Sequence, residues 1–266
     1  MLLKPLIALL AWSLLQFSAH AGQPPRIAAA ASLQFTLPEI VAAFQRKTGM
    51  GARVTYGSSG NFARQIAQGA PFELFLSADE QYAVDLVRQG LTIESSRVYA
   101  LGRIAMIVPK GSDIELSPNL DGLRSAIDAG SLQHFAIANP DHAPYGRAAR
   151  EALESLDLWQ AIQPFLIKGE NASQATQFAI SGSSEGGIVP YSLAMSPAIA
   201  QFSDNMPIPE SLHQPIRQHM VLLRGAGEVA GQFFEFLGEA EAIAIFEKNG
   251  YGVGTPETDT MTSQAQ

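Results

Sequence analysis

Short apolar runs alternate with stretches whose apolar residues recur at helical spacing, and the alternation continues through most of the chain. "RIAAAA" (26–31) reads as a first strand. Leu37, Ile40, Val41 and Phe44 then fall at i, i+3, i+4 and i+7, one helix face. Thr36 and Glu39 are placed for a capping box, and Pro38 suits the first turn. "ARVTY" (52–56) is a second strand, "NFARQIAQG" (61–69) a helix closed by Gly69, and "ELFLSA" (73–78) a third strand. "DEQYAVDLVRQG" (79–90) opens on acids and stops at Gly90, as a helix should. Further strands are expected at "RIAMIVPKG" (103–111), "HFAIANP" (134–140), "FLIKG" (165–169), "GGIVPYS" (186–192) and "RQHMVLLRG" (217–225). "YGRAAREALESLDL" (145–158) carries Ala149, Ala152, Leu153 and Leu156 on one helix face, and two helices close the pattern near 227–237 and 239–248. Strands alternating with helices predict an α/β fold with mostly parallel sheet. No tandem repeat and no Pro/Ser-rich linker interrupts the chain. If it forms two lobes, it crosses between them within long apolar strands, for which residues 106–108 and 220–223 are the candidates.

The two ends break the alternation. Residues 1–21, "MLLKPLIALLAWSLLQFSAHA", carry one charge, Lys4, then an apolar run, then Ala19-His20-Ala21. That order is a secretory signal peptide cut before Gly22, and the run is too short for a stable membrane anchor. "TPETDTMTSQAQ" (255–266) is a polar tail expected to lack structure. Hydrophobic residues make up 47% and charged residues 16%, which places the remainder among globular chains. There is no cysteine, so no disulfide, no thiol for a lipid anchor and no cysteine-based zinc site. The net charge is −8, and loss of Lys4 makes it one unit more negative. Such a chain is a poor partner for nucleic acid and cannot steer an anion from a distance, so any anion site has to be local.

Three strand-to-helix turns carry the candidate chemistry. Gly57-Ser58-Ser59-Gly60 follows the second strand and opens a helix. Such turns aim free backbone N–H groups at one point, serine adds rotatable donors, and glycine lets an anion approach the backbone. A simple N-cap turn explains the same residues equally well. Ala31-Ser32 repeats the arrangement after the first strand, so two turns on neighbouring parallel strands could converge at one sheet edge. Asn139-Pro140-Asp141-His142-Ala143-Pro144-Tyr145-Gly146 is a third turn, whose prolines fix the loop and place the Tyr145 N–H near a helix start. Asp141 and His142 have no further carboxylate or imidazole at ligand spacing, which favours a structural loop.

Two motifs point elsewhere. Gly182-Ser183-Ser184-Glu185-Gly186 fits G-x-S-x-G, but it follows a helix and precedes a strand, the reverse of a nucleophile elbow. The later histidines, His213 and His219, have no clear acid between them, which argues against a serine hydrolase built on Ser184. Gly225-Ala226-Gly227-Glu228-Val229-Ala230 fits G-x-G-x-x-A but lacks a following strand ending in an acid, so it reads as a plain turn.

"AAAASL", "YGSSGNFARQIAQGAP", "LFLSAD", "NPDHAPYGRAAREAL" and "GIVPYS" come in the order seen in the periplasmic molybdate-binding proteins of ABC transporters, and the chain resembles that family over residues 27–252. The resemblance implies a type II periplasmic binding protein: two α/β lobes joined by two crossover strands, with the ligand in the cleft. The first lobe would hold 22–104 and 219–254, the second 105–218. It implies a monomeric, exported, periplasmic protein without enzymatic activity or cofactor. Such a protein takes up molybdate or tungstate and delivers it to a membrane permease driven by an ATPase. The family's serine ligands fall on Ser32 and Ser59, and its backbone donors on Tyr145 and Ala172. Some members add a tyrosine hydroxyl directly after "GIV". Here Pro190 holds that position and Tyr191 follows, a one-residue shift that turns Tyr191 in another direction. The same fold could carry another oxyanion, such as sulfate, since distances set anion size.

Overall fold

The computed structural model describes residues 23–252, so the expected signal peptide and tail lie outside the described residues. Strand β1 (Arg26–Ala30) is buried from its second residue on, as a strand covered on both faces must be. It pairs in parallel with β2 (Arg53–Gly57) on one side and β3 (Leu74–Ser77) on the other. Helices α1 (Leu37–Thr48), α2 (Ser59–Ala67) and α3 (Glu80–Arg88) connect and follow them. Strand β4 (Arg97–Gly102), which the apolar pattern did not reveal, completes this sheet together with β10 (Ile216–Leu222), in the order β2-β1-β3-β10-β4.

The second sheet contains β5 (Ile104–Pro109), β6 (Phe135–Ala138), β7 (Leu166–Gly169), β8 (Gly187–Pro190) and β9 (Ser203–Pro207), in the order β7-β6-β8-β5-β9. Its pairing repeats that of the first sheet: three parallel strands, then an antiparallel strand, then an edge. Helices α4 (Asp121–Asp128), α5 (Pro144–Ser155), α6 (Trp159–Ile162), α7 (Ala172–Ile180), α8 (Tyr191–Ala194) and α9 (Pro197–Ala200) belong to this half. Helices α10 (Glu228–Phe236) and α11 (Ala240–Lys248) return to the first, where Phe44 meets Phe233 edge-on at 5.0 Å between ring centres.

The chain changes sheets at Arg103 and again between Pro207 and Ile216. Residues 106–108 and 220–223, the expected crossing segments, instead lie within β5 and at the end of β10, deep in single sheets. Their length of apolar sequence has another cause: both strands have neighbours on each side and are buried on each face. Strand β10 also takes residues 216–218 into the first sheet, slightly ahead of the expected change at 218/219.

Local signals are met unevenly. Asp79 caps α3, its carboxylate accepting from Gln81 N at 2.8 Å. Thr36 precedes α1 but its hydroxyl makes no capping bond, because the residue is already in helical conformation and buried. Among the described residues no helix is long and apolar enough to cross a membrane.

Close packing of α5 on β6 needs Gly146: a Cβ there would sit 2.2 Å from the Ala138 carbonyl oxygen. Backbone on both sides leaves nothing flexible to give way. Gly146→Ala is expected to cost about 1–3 kcal/mol as an overpacking substitution. Thermal melting would register this as a fall of roughly 2–10 °C. An unchanged melting temperature would mean that α5 can slide on its strand.

Candidate functional site

The carboxyl ends of β1, β2, β3, β6 and β7 converge on one small cavity between the two sheets. Its walls are Ala30, Ala31, Ser32, Gly57, Ser58, Ser59, Ala78, Ala143, Pro144, Tyr145 and Ala172. Its free volume is about 10 Å³, far below the roughly 300–1,000 Å³ of pockets for organic ligands. No ionised side chain is among the lining residues.

Each polar wall group is positioned by its element. Ser32 lies in a 3-10 turn, Ala31–Leu33, directly after β1. It is buried, and its hydroxyl makes no well-formed hydrogen bond to the protein. The Tyr145 and Tyr251 hydroxyls are close enough for Ser32 to influence their ionisation, but the geometry falls short of a bond. The Ser32 carbonyl, by contrast, accepts from Tyr251 Oη at 2.8 Å and from Ser192 Oγ at 3.2 Å. Its backbone is thereby clamped from both halves while its hydroxyl stays uncommitted.

Ser58 is the N-cap of α2, accepting from Asn61 N at 3.4 Å. Ser59 opens the helix, and its Oγ accepts from Ala78 N at 2.9 Å. That bond uses a lone pair and leaves the hydroxyl hydrogen to point elsewhere. The N-cap reading of the Gly-Ser turn is met at Ser58, while Ser59 turns its hydroxyl to the next strand end. Tyr145 and Ala172 stand in the first turns of α5 and α7, where backbone N–H groups have no acceptor within the helix. Asn171 caps α7, accepting from Gln174 N at 3.1 Å.

Ser32, Ser59, Tyr145 and Ala172, four residues from four turns, thus line one cavity. Tyr191 does not. It starts α8 and its ring packs where a side chain on Gly250 would stand, 3.0 Å from that position. The other two motifs are spent on structure. Ser184 Oγ donates to the Phe178 and Gly186 carbonyls at 2.9 and 3.1 Å, not to an imidazole. Gly227 caps α10 and its N–H donates to Glu73 at 3.1 Å.

Contacts across the cavity rim join the halves. Ser58 Oγ donates to the His142 carbonyl at 3.0 Å and lies 3.0 Å from its Nδ1, and Gly60 N donates to the same carbonyl at 3.2 Å. Ser173 Oγ donates to the Ala31 carbonyl at 3.0 Å. Arg147 on α5 pairs with Asp79 at 2.8 Å and with Glu151 at 2.9 Å. Burial works against its charge, but these carboxylates hold the guanidinium's pKa above its usual value. Tyr251, Ser192 and Gln218 were not found by sequence reasoning as parts of this neighbourhood, and His142, read as part of a structural loop, serves there as a contact to Ser58. Tyr251 sits in "NGYGVG", where no local pattern marks a contact with residue 32.

Two sheets of matching topology, with unpaired donors gathered at their facing strand ends, define a two-lobed binding protein for a small ligand. The comparisons agree. The model for the family described as bacterial extracellular solute-binding protein matches residues 25–252, so the chain belongs to that family. It is similar to the molybdate-binding protein ModA of Rhodobacter capsulatus, 36% identical over 89% of this chain and 91% of that protein. Among solved structures, the periplasmic molybdate-binding protein of Azotobacter vinelandii superposes with a TM-score of 0.78 at 27% identity, over 87% of this chain and all of that one. The sulfate-binding protein SubI of Mycobacterium tuberculosis H37Rv gives 0.73 at 16% identity, over 88% of each chain, which shows a shared fold. The resemblance read from the sequence and the type II two-lobed α/β fold both stand.

Burial pushes the Tyr251 hydroxyl up to about 12, with the Ser192, Ser32 and Thr36 side chains pulling the other way. The unfolded phenol ionises near 10. The folded state therefore favours the neutral phenol. Its contribution is full below about pH 10 and is lost as pH rises towards 12. Tyr251→Phe is expected to melt with a shallower decline than wild type between about pH 10 and 12. Equal slopes would show that this hydroxyl does not stay protonated in its bond to Ser32.

Proposed function

We propose that the protein is the periplasmic receptor of a molybdate transporter. It would capture molybdate, and tungstate as its close chemical likeness, and deliver it to a membrane permease driven by an ATPase. The Ser32 and Ser59 hydroxyls and the Tyr145 and Ala172 N–H groups would hold the oxyanion. The carrying observation is the neutral cavity itself: four candidate donors from both halves, no ionised side chain, and a buried Ser32 hydroxyl without a well-formed protein partner. The names of the R. capsulatus and A. vinelandii relatives support the choice of ligand.

Neutral donors suit the task. Helix N-termini and hydroxyls can stabilise a dianion, each hydrogen bond to a charged group contributing roughly 1.5–3 kcal/mol. A ring of backbone donors fixed by two sheets resists shrinking, so it would reject a smaller tetrahedral ion by fit. Binding of this kind makes and breaks no covalent bond, so no catalytic residue or cofactor is assigned. The first lobe would carry 22–104 and 219–254 and the second 105–218, except that residues 216–218 pair with the first sheet and Ile104 with the second. Closure would be a hinge motion at Arg103 and at the segment between β9 and β10. The receptor would act as a monomer outside the cytoplasm, with no role for nucleic acid.

Calorimetric titration tests the reading. The mature protein is expected to bind one molybdate and to give no heat with sulfate. Ser59→Ala removes one donor and is expected to weaken molybdate binding about 10- to 100-fold. Full affinity in that variant would overturn the site, and sulfate binding by the wild type would overturn the ligand.

A further inference from the structure

Tyr145 takes part twice. Its backbone lines the cavity, while its side chain leaves α5 of the second half and enters the first. There Gln218 Nε2 on β10 donates to the Tyr145 hydroxyl oxygen at 2.6 Å. The Gln218 amide oxygen in turn accepts from Tyr99 Oη on β4 at 2.6 Å, and Tyr99 Oη also lies 3.2 Å from the Ser77 carbonyl. All three side chains are buried, Gln218 completely. The pairing of β10 with β4 shifts between Gln218 and His219, so Tyr99 has no residue opposite it. A bulge of this kind re-aims a side chain, and here it accompanies a phenol turned onto the amide. The chain ends beside the crossing: a Cβ on Gly102, the residue before Arg103, would stand 2.6 Å from the Tyr145 hydroxyl and 2.8 Å from Gln218 Nε2.

We propose that Gln218 is a positioning residue: through the Tyr145 hydroxyl it couples occupancy of the cavity to closure of the two lobes, without touching the ligand. This rests on the oxyanion reading above. In this arrangement the Tyr99 hydroxyl donates to the amide oxygen, and the amide N–H groups face Tyr145. The Tyr145 oxygen then acts as acceptor, and the phenol is pinned to the first half. Seating an anion on the Tyr145 N–H orders the start of α5. An ordered start of α5 holds the phenol on Gln218, and that bond ties the halves together at the crossing. Burial keeps Tyr99 and Tyr145 neutral by raising both pKa values well above the ordinary phenol range, so the chain works with neutral groups. The cost of breaking it is that of a buried polar group left unpaired.

The test compares wild type with Tyr145→Phe, which keeps the backbone N–H and the ring, and with Gly102→Ala, which crowds the hydroxyl without removing it. Molybdate affinity is measured by calorimetry, and melting temperature with and without molybdate. Both variants are expected to bind about tenfold or more weakly than wild type. Without molybdate both variants should melt somewhat below wild type, by the cost of the disturbed buried amide, and with molybdate the deficit should be larger, so that the rise on adding molybdate shrinks. Combining Tyr145→Phe with Gln218→Leu should weaken binding no further than the single changes, as expected for partners in one interaction. Full affinity in Tyr145→Phe would overturn the coupling. An equal loss of melting temperature with and without molybdate would do so too, since that marks a static strut. Failure of the wild type to bind molybdate would instead overturn the oxyanion reading, and the coupling with it.

Discussion

Taking a doubly charged anion out of water is expensive, and the interior must return what the water gave. Lysine or arginine would do so at the cost of burying further charge, which itself has to be desolvated. The alternative is a set of dipoles that are already desolvated and already unpaired. The first turn of every helix supplies them, because its N–H groups have no acceptor within the helix. On the proposed reading, this constraint organises the cavity. The turns after β1, β2, β6 and β7 bring their free ends to one place, and apart from Tyr145 the residues around them are alanine, glycine, serine and proline. Small side chains leave the backbone open to a ligand. A chain of net charge −8 does not attract anions from afar, so on that reading the local arrangement has to supply the whole attraction.

The two sheets make the convergence possible. Each runs three parallel strands followed by an antiparallel one, so each presents carboxyl ends and helix starts along one edge. Facing the two edges places donors on opposite sides of a gap no larger than a small ion requires. The helices must lie close on their strands to keep the gap small, which is why glycine stands at 146 against the Ala138 carbonyl. Contacts around the rim, such as Arg147 with Asp79 and Ser58 with His142, then hold the edges together.

Much of this was legible in the sequence because it is local. A strand, a turn of small residues and a helix start form a pattern within ten residues, and the turns at 32, 59 and 145 were found on that basis. Ala172 came from family resemblance, since its own turn has no distinctive composition. What escaped detection is non-local. Strand β4 mixes polar and apolar residues because it is a sheet edge, and the crossing points follow from strand pairing rather than from apolar length. Thr36 and Glu39 had the spacing of a capping box, but Thr36 is itself in helical conformation, where its hydroxyl makes no capping bond. Gln218 and Tyr251 are ordinary residues in ordinary strings, and only the closing of the fold brings them to Tyr145 and Ser32.

Diffraction from crystals grown with molybdate, recorded at the molybdenum absorption edge, tests the central claim most directly. The proposed site predicts one strong anomalous peak in the cavity, within hydrogen-bonding reach of the Ser32 and Ser59 hydroxyls and of the Tyr145 and Ala172 N–H groups. A cavity without such a peak, or molybdenum held instead by arginines on the outer surface, would contradict the assignment of this cage to the oxyanion.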